Sequence, residues 1–396
     1  MIGRSAALRA LPEYPFVRLE AEARAWRGPG ALLRFSIGDP DLPPWSGLRR
    51  AAERALGSSE GNRYSSSRGE PTLRAAIARY MDRRFGVAVD PDREVVVLIG
   101  SKEGLSALPR AILEPGDRVG VPNPGYPAYE NAARLGGFQA VSVPLRAKAT
   151  WQPDWEAIPE DLRLLYLNYP NNPTGAVART ADLARAVEAA HDRRFAIAFD
   201  NAYSEFTFDG TPAPSILSIP GAREVAVEFH SFSKTFGVPG WRIGFAVGPP
   251  DALDALAGLK GHADSGAPNP LQRAVAEGLE AFGPEGWSAD VLGPIEEYHR
   301  RLKRLAEGLR SLGIPVDPPS ATLYLWHRAP GGDGRSFAER LLREAGVLVT
   351  PGEAFGAGGR GYVRWSATIG LSEIDEALNR LARCDPPIAA APARLA

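Results

Sequence analysis

Lys234 is the residue with the clearest chemical purpose in this chain. It lies in Glu228-Phe-His-Ser-Phe-Ser-Lys234-Thr-Phe-Gly-Val-Pro-Gly-Trp-Arg242, between the apolar runs 225–229 and 243–247. The other lysines are only Lys102, Lys148, Lys260 and Lys303, and arginine carries nearly all the remaining positive charge. Arginine cannot stand in for such a lysine. A guanidinium stays protonated, whereas a partly buried ammonium can lose its proton and attack a carbonyl carbon. Ser231 and Ser233 add hydroxyls, and Arg242 adds a planar fork of donors suited to an anion. A cofactor carrying an aldehyde and a phosphate would engage all four.

The other candidates stand where apolar runs end. From residue 94 to 280 such runs alternate with amphipathic helical patterns, which predicts a doubly wound α/β domain. In that architecture the ligand lies beyond the carboxyl ends of the strands. The run 94–99 ends in Gly100-Ser101-Lys102-Glu103-Gly104 and enters a helix, whose free N–H groups suit a phosphate. Residues 118–121 lead to Asn123-Pro-Gly-Tyr126, an aromatic suited either to stacking on a flat ring or to packing in the core. Residues 162–167 lead to Asn171-Asn172-Pro-Thr-Gly, a turn by composition, where an asparagine can also donate to a phenolate oxygen. Residues 195–199 lead to Asp200-Asn201-Ala202-Tyr203. A carboxylate straight after a buried strand needs a charged or strongly donating partner, and a pyridinium N–H is one.

Taken together, Tyr126, Asn172, Asp200, Tyr203, Ser231, Ser233, Lys234 and Arg242 resemble, in order and spacing, the aspartate-aminotransferase superfamily of pyridoxal-phosphate (PLP) enzymes, class I/II. The resemblance runs from about residue 32 to 381. It implies fold type I: an α/β fold with a large domain built on a mostly parallel seven-stranded sheet flanked by helices, plus a smaller α/β domain. Pyridoxal 5'-phosphate would be the cofactor, bound by Ser101, Lys102, Glu103, Tyr126, Asn172, Asp200, Tyr203, Ser231, Ser233, Lys234 and Arg242. Lys234, Asp200 and Tyr203 would be catalytic. Ile37 and Gly38, at the end of a strand-like run, would meet the substrate carboxylate beside Asn172, and Arg364 would clamp it. Tyr64, followed by Gly69 and Leu73-Arg74, would reach the phosphate of a partner subunit, which makes a homodimer the expected assembly.

Composition agrees with an enzyme of this kind. At 396 residues the chain exceeds what one core usually organises, and a net charge of −1 gives no electrostatic case for nucleic acid or membrane as a partner. Cys384 is the only cysteine, which fits a reducing, cytoplasmic setting. No signal peptide or membrane-length apolar run is visible. The five histidines lack metal-ligand spacing, so no metal is expected and His230 reads as structural. The GxGxxG pattern at 356–361 precedes a strand-like run rather than a helix and is rejected as a nucleotide site. The expected organisation is an arm and part of the small domain over 1–45, the large PLP-binding domain over 46–283, the small domain over 284–385, and a disordered tail over 386–396.

Several stretches, among them Ile99-Gly-Ser-Lys-Glu-Gly and Glu228-Phe-His-Ser-Phe-Ser-Lys-Thr-Phe, look like the LL-diaminopimelate and N-succinyl-diaminopimelate aminotransferase branch. The resemblance implies amino-group exchange between such a compound and 2-oxoglutarate or glutamate, in amino-acid and specifically lysine biosynthesis. The alternatives are an aspartate/glutamate-type or broad-specificity aminotransferase and a PLP-dependent carbon–sulfur β-lyase. That branch usually has an acidic residue between the tyrosine and glycine of the Tyr64–Gly69 tract, where this chain has Ser-Ser-Ser-Arg68. Arg68 would repel a distal ammonium and attract a distal carboxylate.

Overall fold

The computed structural model describes residues 3–28, 30–208, 213–283 and 286–390. An eight-stranded sheet runs in the order Val95–Leu98, Gly244–Val247, Ala226–Ser231, Ala196–Asp200, Leu162–Asn168, Arg118–Asn123, Gln139–Arg146, Gln152–Pro153. Seven of these strands are the expected sheet. The eighth is a two-residue edge strand, antiparallel to its neighbour.

The central strands pair in parallel, and Gly244–Val247 inserts antiparallel between Ala226–Ser231 and Val95–Leu98. Helices cover both faces, so Val95–Leu98, Ala226–Ser231 and Gly244–Val247 are buried at every position; the first and last read as unbroken apolar runs, while Ala226–Ser231 buries Glu228 and His230 against each other. Leu73, Ile77, Val97 and Phe199 form the core on one face; Leu98, Leu105, Phe229 and Leu256 form it on the other. The helix Pro71–Phe85 shows how local sequence sets these covers: Pro71 opens it, and Gly86 closes it in the left-handed region at φ 68°.

Parallel pairing has one consequence for the site. It brings Asn123, Asn168, Asp200 and Ser231 to a single edge of the sheet. Gly244 stands opposite both Leu98 and Ser231. The segments that follow Leu98 and precede Gly244 therefore meet beside Ser231.

The smaller unit has a three-stranded antiparallel sheet with Tyr362–Ser366 between Tyr324–Arg328 and Thr350–Pro351. Helices Ala289–Ser311, Gly334–Ala345 and Leu371–Ala382 pack on it around Phe35, Leu302, Leu341 and Trp365. Leu33–Arg34 pairs with Val347–Leu348, so the early strand-like run belongs here. The N-terminal segment forms two helices, Ala6–Ala10 and Pro15–Ala25, since Leu11 turns extended ahead of Pro12 and Pro15 starts a new helix.

Of the tail, Pro386 to Ala390 lies against the small domain: Ile388 is buried, and Arg340 donates to the Ala390 carbonyl at 3.0 Å. Residues 391–396 lie outside the described residues. Within 356–361, a Cβ at Gly359 would come 2.0 Å from the Gly352 carbonyl oxygen, so glycine serves backbone packing there.

Candidate active site

The groups expected to hold an anion meet where the register places them. Gly100, at φ 74°, turns the chain from Val95–Leu98 into the helix Ser101–Ile112, and a Cβ there would stand 2.3 Å from Arg242 Nη2. Arg242, itself left-handed at φ 56°, donates Nη1 to the Pro239 carbonyl at 2.9 Å. It forms no ion pair among the described residues. Ser231 and Ser233 are buried beside it, and Ser233 Oγ has no hydrogen-bond partner. An unpaired guanidinium, an orphaned hydroxyl and the first turn of a helix together suit a phosphate group.

Asp200 lies at the base of the cavity. Tyr129 donates its hydroxyl to Asp200 Oδ2 at 2.6 Å, and the Ala202 N–H reaches Oδ1 at 3.3 Å. Burial pushes the carboxyl up to about 6, against the lowering effect of the Tyr129 hydrogen bond. Asn168 donates to the Asp200 carbonyl at 2.8 Å and, through its own side-chain oxygen, accepts the Asn172 N–H at 2.8 Å, which fixes the loop carrying Asn172. The Tyr203 and Tyr324 hydroxyls are 2.8 Å apart, and burial keeps Tyr203 protonated far above neutrality.

Lys234 points its amine into this space. Nζ donates to the Gly38 carbonyl at 2.8 Å and stands 5.7 Å from the centre of the Tyr203 ring. Burial holds its pKa below that of an ordinary lysine, with Arg364 and Arg242 adding to the fall and Tyr324 and Asp39 opposing it. A lowered pKa is what a nucleophilic or basic amine requires near neutral pH.

Arg364 closes the other side. It is 1 % exposed, yet it has no carboxylate partner among the described residues. Nη1 donates to Asn172 Oδ1 at 2.8 Å and Nη2 to the Ser36 carbonyl at 2.7 Å, while Nε has no partner. The guanidinium lies 4.0 Å from the Tyr324 ring centre and 4.7 Å from that of Phe355. An uncompensated buried cation costs several kcal/mol, and an incoming carboxylate would relieve that cost.

These groups line one cavity of about 350 Å³, and of the residues expected from sequence only Glu103 and Tyr64 are missing from its lining. Glu103 is a correction. Both its carboxylate oxygens accept from buried Lys260 at 2.9 Å, and one also accepts the Ile99 N–H, so its side chain braces the helix start instead of facing the ligand. Tyr64 is 92 % exposed and contributes nothing to the cavity of its own chain. Arg68 is tied to Asp254 and to the Arg93 carbonyl, and it too is absent from the lining. His230 is buried, bonded to Glu228 at 2.8 Å and stacked on Phe245. Among the described residues no group of metal-ligating side chains occurs.

Sequence reasoning missed Tyr14, Phe16, Asp39, Tyr129 and Tyr324, all of which line the cavity. Tyr129 alone had a usable signal, standing three residues after Tyr126 in the first turn of the helix Ala128–Leu135.

The family described as aminotransferase class I and II matches residues 31–381. The chain belongs to that family. Among curated relatives of this aminotransferase is the LL-diaminopimelate aminotransferase of Desulforudis audaxviator, 43 % identical over 95 % of this chain and 96 % of that protein. Among solved structures, the probable N-succinyldiaminopimelate aminotransferase of Thermus thermophilus superposes with a TM-score of 0.84 at 38 % identity, covering 92 % of this chain and 98 % of that one. The aspartate aminotransferase of Thermus thermophilus with maleate gives 0.88 at 32 % identity over 97 % of this chain and 100 % of that one. The architecture is that of fold type I.

Proposed function

We propose that this protein is a pyridoxal 5'-phosphate-dependent aminotransferase that exchanges an amino group between LL-diaminopimelate and 2-oxoglutarate. The observation that carries the reading is the position of Lys234, an amine of lowered pKa in a cavity shared by two arginines without ion pairs, Arg242 and Arg364. One arginine suits a phosphate and the other a substrate carboxylate. When bound, such a cofactor supplies an electron-withdrawing ring that eases loss of the substrate Cα proton.

The chain's own residues fit that group. Arg242, Ser231, Ser233 and the first turn of Ser101–Ile112 would hold the phosphate, with the orphaned Ser233 hydroxyl gaining a partner. Asp200, braced by Tyr129, would accept the ring N–H and ionise on doing so. Tyr203 and Asn172 offer donors to the ring's phenolic oxygen, and Tyr126 a face to stack on. Arg364 and Asn172 would orient the substrate carboxylate, leaving Lys234 Nζ to take the proton from Cα and return it. Tyr14 and Phe16, from the N-terminal segment, would exclude water.

The substrate assignment rests on the diaminopimelate aminotransferases among the relatives. Borohydride reduction of the cofactor-loaded protein followed by peptide mapping tests the chemistry. A stable adduct is expected on Lys234, and an adduct on another lysine would end the assignment.

A further inference from the structure

The loop over residues 36–42 is pinned on both sides of the cavity mouth. The Ser36 carbonyl accepts from Arg364 and Thr350, and the Ile37 carbonyl from Thr368 Oγ1 at 2.7 Å. At the far end, Asp41 accepts from Arg301 Nη1 at 2.8 and 2.9 Å and from the Tyr298 hydroxyl at 3.0 Å. Between these anchors the Gly38 carbonyl takes the Lys234 bond, and a Cβ on Gly38 would fall 1.9 Å from the Tyr324 hydroxyl. The backbone that leads into Asp39 is therefore held one peptide away from the reacting amine.

Asp39 itself has no partner. Its side chain makes no hydrogen bond or ion pair among the described residues, although it is exposed and lines the cavity. The other carboxylate in the lining, Asp200, is buried at the base and engaged with Tyr129. Lys102, the remaining cation near the mouth, donates to the Tyr14 hydroxyl at 3.2 Å and lies over the Tyr14 and Tyr126 rings. Arg68, whose charge would repel a distal ammonium, is bound to Asp254 and is absent from the lining formed by its own chain. Asp39 is thus the one carboxylate at the mouth that no cation of the described residues neutralises, and it stands in the same lining as the Lys102 ammonium.

We infer that Asp39 is a specificity-determining residue that accepts the distal ammonium of the amino donor, so that the site favours a free diamino-dicarboxylate over an N-acylated one or over glutamate. This rests on the diaminopimelate reading above. Acylation removes the charge of the distal ammonium, and glutamate ends in a carboxylate with no ammonium beside it, so either change forfeits the interaction.

The test is the half-reaction of the cofactor-loaded enzyme, followed by absorbance. Wild type and Asp39→Asn are compared on 2,6-diaminopimelate, on its N-succinyl form and on 2-aminopimelate, which lacks only the distal ammonium. Asp39→Asn is expected to lower kcat/KM for 2,6-diaminopimelate roughly fivefold, chiefly through KM, as fits a partly exposed charge pair. It should leave 2-aminopimelate within about twofold. Asp39→Lys should deepen the loss on the diamine, and Asp39→Glu should restore part of it. An equal loss on all three substrates would show that Asp39 acts on the shared chemistry through Lys234 and would overturn the inference, as would no loss on the diamine. Failure of the wild type on both diaminopimelate forms would instead remove the substrate reading, and the inference with it.

Discussion

Arg364 Nη1 donates to Asn172 Oδ1 at 2.8 Å, joining the central strand of the small sheet to the loop after Leu162–Asn168 in the large one. One hydrogen bond thus ties a buried, unpaired cation to the edge of the sheet that carries Asp200 and Lys234.

The first prediction concerns that cation. Arg364→Lys keeps the charge but loses the fork that holds Asn172 and the Ser36 carbonyl together. Hydrogen bonds to charged groups contribute about 1.5–3 kcal/mol, so kcat/KM for the amino donor should fall roughly 10- to 100-fold. Cofactor affinity, measured by spectral titration, should stay near that of the wild type. A variant that loses cofactor but keeps its substrate KM would place Arg364 at the wrong end of the site.

Asp200 makes the stability of the chain by itself depend on pH. Its pKa of about 6 lies above the value near 4 of a free carboxyl in the unfolded chain. The folded chain therefore holds a proton that the unfolded chain releases in that interval. The stabilisation is complete below about pH 4 and is lost as pH rises through about 6. Asp200→Asn cannot ionise, so without ligand it should melt above the wild type at pH 7.5 and close to it at pH 4, a difference on the order of 2–3 kcal/mol at the higher pH. The same variant should bind cofactor more weakly. Parallel melting curves for the two proteins between pH 4 and 7.5 would contradict the burial argument.

Gly100→Ala should damage the anion site selectively. The residue sits at φ 74° and ψ 151°, a region that costs a side chain roughly 1–3 kcal/mol, and the added Cβ would displace Arg242 Nη2 from 2.3 Å. The expected result is a cofactor Kd raised about tenfold or more with only a modest change in Tm, as judged from those costs. Unchanged phosphate and cofactor binding would mean that Arg242 does not hold the anion.

Much of this site was legible because each apolar run became a buried strand and each chemical residue stood just past its end. Asp200, after the apolar run 195–199, and Gly100, after the run 94–99, needed only that rule. Glu103 was misread, and the engagement of Arg68 went unseen, for one reason: their partners, Lys260 and Asp254, lie more than 150 positions away on a helix that tertiary packing brings alongside. Tyr14, Phe16 and Tyr324 reach the cavity only after the N-terminal segment and the small sheet have docked, and no local pattern encodes docking. Asp39 stood in plain view in Gly38-Asp39-Pro40-Asp41, but composition alone could not separate it from Asp41, which Arg301 neutralises.

Tyr64 yields the prediction about assembly. A tyrosine 92 % exposed, on a tract whose neighbours Ser65 and Arg63 are fastened by Gln272 and Asn269, is held out from its own chain rather than left loose. In a two-fold dimer that arrangement would place it at the partner's phosphate site, and such dimers are the commonest closed assemblies. Tyr64→Phe and Lys234→Ala homodimers should each be impaired, the first through cofactor affinity and the second through the chemistry. A hybrid dimer would then hold one site with both residues intact and one with neither. Its activity should be about half that of the wild type, given independent sites in an isologous pair. Hybrids separated by differential tagging and assayed at limiting cofactor measure this directly. If they are no more active than the Tyr64→Phe parent, Tyr64 does not serve the opposite subunit.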